Sequence, residues 1–98
     1  MKMISRFGLG LLLSSSVLTA HAEDVKIGMI TTLSGGGSHL GVDVRDGFML
    51  ALEQSGRDDV EVLIQDDANR PDLARSLANE FMQRDEVDIM TGIIWSNL

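Results

Sequence analysis

Hydrophobic and polar positions along this chain alternate between two rhythms. Val25-Lys26-Ile27-Gly28-Met29-Ile30 is a short β-rich run, bounded by Thr31 and by the loop Ser34-Gly35-Gly36-Gly37-Ser38, and it predicts a strand. Leu40, Val44, Phe48, Ala51 and Leu52 then recur at helical spacing, with Gly56 as the stop. Val60 to Gln65 predicts a second strand, ended by Asp66-Asp67. Pro71 suits the first turn of a second helix, with Asn69 or Arg70 at its cap and Asp72 near the positive end of its dipole. Leu73, Leu77, Ala78 and Phe81 form its apolar stripe, and Val87 to Ile94 predicts a third strand. Phe48, Leu52, Leu77 and Phe81 read as helix faces packed on a sheet, not as a cofactor box. Met29, Met49, Met82 and Met90 read as core filler.

The order β-α-β-α-β with short connections implies an α/β fold with a parallel sheet built by right-handed crossovers. Its expected strand order is 2-1-3. Such a sheet binds ligands outside the carboxyl ends of its strands, where strand order reverses. Here that point lies between the first and third strands. The loop from Thr32 to Gly41 and the segment Trp95-Ser96-Asn97 should converge on it.

Ahead of these elements lies a leader. Lys2 and Arg6 make a positive n-region, Phe7 to Leu13 and Val17 to Ala20 an apolar stretch, and Ala20-His21-Ala22 a small-x-small cleavage site. Residues 1–22 are expected to be a signal peptide and Glu23 the mature N-terminus. The apolar run, interrupted by Ser14 to Ser16, is shorter than the roughly 20 residues a membrane span needs. No cysteine near the cut could carry a lipid. The product is expected in the periplasm, without stable membrane insertion after cleavage.

Removing the leader leaves 76 residues, at the lower limit for a self-sufficient core, with no cysteine to cross-link it and His39 as its one histidine. The chain also stops at Leu98 directly after an apolar run, so residues 23–98 are expected to be part of something larger. All 15 acidic residues follow Ala22, against six basic ones, for a net charge near −9. That argues against nucleic acid or an anionic membrane surface as partner.

Candidate chemistry is sparse. Gly35, Gly37 and Gly41 lack the third glycine of a dinucleotide fingerprint at position 40, which is leucine, and Gly41 is followed by Val42-Asp43 where a phosphate-binding loop needs Lys and Ser/Thr. The loop reads either as a ligand wall, offering backbone N–H groups and the Ser34 and Ser38 hydroxyls, or as an ordinary strand-to-helix turn. Asp66-Asp67 points to opposite sides of a strand end, which favours a turn role, or a contact to the next helix, over a shared acid–base or cation site. His39 has no nucleophile at a recognisable spacing, and the serines lack a nucleophile-elbow pattern. No catalytic set assembles, and no cofactor or metal is expected. Ser96 and Asn97 stand apart, because topology places a hydroxyl and an amide at the switch point, where they suit a carboxylate. Strand alternation would send Trp95 to the side opposite Ser96.

At these residues the chain resembles the start of leucine/isoleucine/valine-type periplasmic binding proteins of ABC importers. The resemblance runs through Val25-Lys26-Ile27-Gly28, Leu33-Ser34-Gly35, Leu40-Gly41, Arg45-Asp46-Gly47, Asp66-Asp67-Ala68, Pro71 and Thr91-Gly92, in that order. It implies two Rossmann-like lobes joined by hinge strands and closing over a ligand, of which residues 25–98 would supply only the beginning of the first. It also implies that Ser96 and Asn97 hold a ligand carboxylate and that Leu40 lines the site at a position often aromatic. Well-known amino-acid binders have a cysteine pair where this chain has Asn69 and Trp95. The Trp-Ser-Asn sequence is similar to members that bind aromatic or other organic acids.

The expected function is therefore the solute-binding component of an ABC importer, with no enzymatic activity, taking a small carboxylate-bearing ligand (an amino acid or an aromatic or organic acid) and delivering it to an inner-membrane permease. A ligand-sensing domain of an extracytoplasmic receptor, or a truncated fragment without function of its own, are the alternatives.

Overall fold

The computed structural model describes residues 24–98, and within them the five elements follow in the expected order. They are β1 (Val25–Thr31), α1 (Ser38–Ser55), β2 (Val60–Asp66), α2 (Pro71–Gln83) and β3 (Ile89–Thr91). The signal-peptide reading of residues 1–22 lies outside the described residues. All pairings are parallel and the sheet order is β2-β1-β3. β1 runs the full length of β2, from Val25 opposite Val60 to Thr31 opposite Asp66. On its other side it meets β3 over three residues, Ile27 opposite Ile89 to Met29 opposite Thr91.

The two crossovers run in opposite lateral directions, so right-handedness puts one helix on each face. The sheet's central strand shows this directly. Gly28 faces α2, where a Cβ would lie 2.5 Å from the Phe81 ring. Its neighbour on that face, Ile30, forms the core with Leu77 and Phe81, and Leu63, Leu73, Ala78 and Val87 pack around them. Phe81 is 1% exposed, and burying such a side chain contributes about 1.5–3 kcal/mol. The opposite face carries Met29, fully buried, on the side where α1 runs. There Gly41 packs so closely on the Thr32 backbone that no side chain fits.

The first helix stops at the expected glycine and the second starts at the expected proline, but the flanks differ. α2 has Pro71 at its first turn and Asp72 there too, with Arg70, in extended conformation, as the N-cap residue. α1 begins at Gly37 (φ 80°) without a side-chain cap and ends at Gly56 (φ 70°). Its apolar stripe is only partly covered: Phe48 and Leu52 are half-buried, whereas Leu40 and Val44 remain exposed. A three-strand sheet offers little surface for a helix of 18 residues.

Two expectations are corrected. The third strand is three residues long, not eight. Val87 is drawn into the exit of α2 through its N–H to Phe81 O, and Asp88 caps the strand's entry by exchanging bonds with Lys26: Asp88 N–H to Lys26 O, and Lys26 N–H to Asp88 Oδ2 at 2.8 Å. Gly92 (φ 109°) then turns the chain away. Of the four methionines expected in the core, only Met29 is there. Met49, Met82 and Met90 are exposed, Met90 because β3 is an edge strand with nothing beyond it in the described chain.

Candidate ligand crevice at the carboxyl end of the sheet

Two segments meet at the carboxyl ends of β1 and β3, as the strand order requires. Gly92 brings the second of them across: a Cβ there would lie 2.6 Å from Ile30 O, so only glycine lets the chain leaving β3 lie against the end of β1. From this crossing the chain reaches Trp95, whose indole packs on Gly37, the residue that starts α1. A Cβ on Gly37 would lie 2.5 Å from Cζ2 of that ring. The contact ties the end of the β1–α1 loop to the segment that follows β3, one residue before Ser96.

Ser96 and Asn97 sit in a turn closed by Leu98 N–H to Trp95 O at 3.2 Å. β3 has ended by then, so strand alternation does not decide the sides of Trp95 and Ser96. Ser96 is exposed. Asn97 lies at the mouth of a groove of about 690 Å³ between α2 and the end of β3, lined by Ile30, Ala74, Arg75, Met90 and Ile93 among others. Leu40, on the first turn of α1, is 42% exposed and presents an apolar side chain beside the loop.

Ser34 is placed differently from Ser96. Its hydroxyl donates to Asp66 Oδ2 at 2.5 Å, and Asp66 ends β2, on the far side of β1 from β3. The Ser34 hydroxyl is thus engaged by the end of β2.

The acidic pair is the part of the site that sequence reasoning missed. Both residues do make turn contacts, but they also reach back across the sheet to the β1–α1 loop. Asp66 Oδ1 accepts the N–H groups of Leu33 and Ala68, each at 2.8 Å. Partial burial of Asp66 opposes its charge most strongly, yet the Ser34 hydroxyl and the Leu33, Ala68 and Ser34 N–H groups outweigh it and hold the carboxyl below its ordinary range. Asp67 is fully buried and its Oδ1 accepts the Thr32 hydroxyl at 2.6 Å and Asn69 N–H at 2.8 Å. These bonds also hold Ala68 (φ 50°) and Asn69 (φ 55°) in the left-handed region that non-glycine residues seldom occupy. A signal was available, since consecutive aspartates at a strand end offer carboxylates to both the preceding and the following turn. Alternation alone does not say which distant loop takes them.

Among the described residues no group of three or more His, Cys, Asp or Glu could hold a metal ion, and no helix is long and apolar enough to cross a membrane. At the carboxyl ends of β1 and β3 the structure thus brings together the β1–α1 loop, through Gly37, and the segment after β3, through Trp95, while Asn97 borders the groove beside α2.

The fold agrees with the relationships of the sequence. The periplasmic binding protein family model matches residues 24–98, and the chain belongs to that family. It is similar to an ABC transporter substrate-binding protein from Sphaerobacter thermophilus, with 35% identity and a TM-score of 0.73 over 76% of this chain and 21% of that one. It is also similar to a solute-binding protein of an ABC transporter from Rhodopseudomonas palustris BisB5, solved in complex with 3,4-dihydroxybenzoic acid. There the identity is 28% and the TM-score 0.66, over 68% of this chain and 20% of that one. The chain thus spans about a fifth of the length of these solved relatives. No curated protein matches the sequence.

Proposed function

We propose that residues 23–98 form the beginning of the first lobe of an extracytoplasmic solute-binding protein that takes a small organic acid and delivers it to an ABC permease. Residues 1–22 are its export signal. The observation that carries the reading is the seating of Trp95 on Gly37, which joins the β1–α1 loop and the segment after β3 into one rim at the switch point, in a chain of the periplasmic binding protein family. Ser96 and Asn97 hold the ligand carboxylate from that rim and Leu40 lines it. The relative that holds 3,4-dihydroxybenzoic acid supports an aromatic or similar carboxylic acid in preference to a branched-chain amino acid. The lobe performs no chemistry; it binds, and closure with a second lobe completes the site.

The test uses 3,4-dihydroxybenzoic acid and calorimetry on the full-length binding protein. A hydroxyl bond to a carboxylate contributes roughly 1.5–3 kcal/mol, so Ser96→Ala should weaken binding by about ten- to a hundredfold. Equal affinities for wild type and Ser96→Ala would remove Ser96 from the site. For export, N-terminal sequencing of periplasmic product should begin at Glu23, and a cytoplasmic product retaining Met1 would contradict it.

A further inference from the structure

We propose that Asp66 is a positioning residue for the crevice, holding the β1–α1 loop from the end of β2 so that Gly37 meets Trp95. This rests on the ligand-binding reading above insofar as the loop is part of a ligand rim. Asp66 lies on the outer strand and away from the switch point, so it would not touch a ligand there. Its carboxylate nevertheless makes three contacts that converge on two turns. Oδ1 takes the N–H groups of Leu33 and Ala68 at 2.8 Å, and Oδ2 takes the Ser34 hydroxyl at 2.5 Å.

The loop needs such an anchor. After Ser34 come three glycines, two of them at φ 80°, and glycine restricts its own backbone least of all residues. Neither Gly35 nor Gly36 has any side-chain or backbone neighbour where a Cβ would stand. Gly37, at the far end of this stretch, is the residue against which the Trp95 ring rests. The loop is therefore fixed at Leu33 and Ser34 by Asp66 and at Gly37 by Trp95, with one turn bond between, Ser38 N–H to Gly35 O at 3.2 Å. Thr32, just before it, is fixed separately by Asp67. Releasing the Asp66 end leaves that turn bond and the seat of α1 on Thr32, through Gly41, to hold Gly37 in register with Trp95.

Trp95 is the chain's single tryptophan, so its fluorescence reads the far end of the loop without any ligand. In the 98-residue chain, acrylamide quenching of Trp95 should rise about twofold or more in Asp66→Ala and less in Ser34→Ala, as the loop opens locally. Asp66→Asn should restore near-wild-type quenching, because its amide oxygen can accept the two N–H groups and its NH2 can donate to Ser34 Oγ. A residue that only stabilised the fold would shift the melting temperature and leave quenching well below it unchanged. Ser34 is exposed and its loss leaves both N–H bonds in place, so Ser34→Ala decides the matter if Asp66→Ala does not fold. Quenching identical to wild type in Asp66→Ala and Ser34→Ala, with helical circular dichroism intact, overturns the proposal. That result would leave binding of 3,4-dihydroxybenzoic acid untouched, whereas failure to bind the acid with quenching raised as expected overturns the ligand reading alone.

Discussion

Gly35 and Gly37 offer a controlled measurement of the contact on which the crevice depends. Both have φ 80°, so replacing either by alanine forces a side chain into the left-handed region at a cost of roughly 1–2 kcal/mol. Their surroundings differ completely. A Cβ at position 35 meets nothing within 4 Å, while one at position 37 would lie 2.5 Å from Trp95 Cζ2 and 3.1 Å from Cη2. Ordinary carbon contact is about 3.5–4.0 Å, so in Gly37→Ala the indole must retreat by roughly 1 Å. Such overpacking typically costs about 1–3 kcal/mol. Gly35→Ala should therefore lose only the backbone contribution, and Gly37→Ala about 1–3 kcal/mol more. Urea denaturation followed by circular dichroism gives the difference, and the emission maximum of Trp95 should shift in Gly37→Ala alone. Equal stabilities and identical Trp95 spectra for the two variants would show that the indole does not rest on Gly37.

Three further outcomes follow from the same geometry. Asp67→Ala should destabilise the chain by about 1–3 kcal/mol, because it strands the buried Thr32 hydroxyl and removes the acceptor for Asn69 N–H; a thermal melt matching wild type would refute this. Gly28→Ala should also destabilise, by about 1–3 kcal/mol through displacement of Phe81, and adding Phe81→Leu should recover part of the loss in urea titrations, non-additivity being the signature. For pH, the Asp66 carboxyl is held below its ordinary value of 3.8 in the folded chain. The extra stability that its charge adds is thus complete above that value and is lost as pH falls through the lower, folded value. The gap in melting temperature between wild type and Asp66→Ala should be constant from neutral to mildly acidic pH and narrow, without closing, at more acid pH. A gap independent of pH down to full protonation would show that ionisation adds nothing to the hydrogen bonds Asp66 makes.

The order of elements was legible because each is written in local periodicity. Pro71 and Gly56 mark helix ends through the backbone of one residue, and Phe81 and Leu77 mark a buried face through helical spacing alone. From that order, right-handed crossovers lead to a parallel sheet, and the expected strand order β2-β1-β3, which the structure shows, sets a switch point flanked by the segments around Gly37 and Ser96. The sequence by itself therefore determined the fold and the two segments that meet at the carboxyl ends of β1 and β3. Tertiary structure decided what fills each position. β3 is cut short by Asp88, which bonds to Lys26 some 62 residues away, and by a glycine whose neighbour is the end of another strand. Met90 is exposed because β3 has no outer partner in the described chain, which its own residues do not reveal. The Ser34 hydroxyl, which its place in a glycine loop offers to a ligand, donates to an aspartate 32 residues on, and the Thr32 hydroxyl donates to one 35 residues on. Periodicity reports which way a side chain faces relative to its own element. Which partner it meets there depends on how distant elements are brought into register, and that is fixed only when the sheet forms.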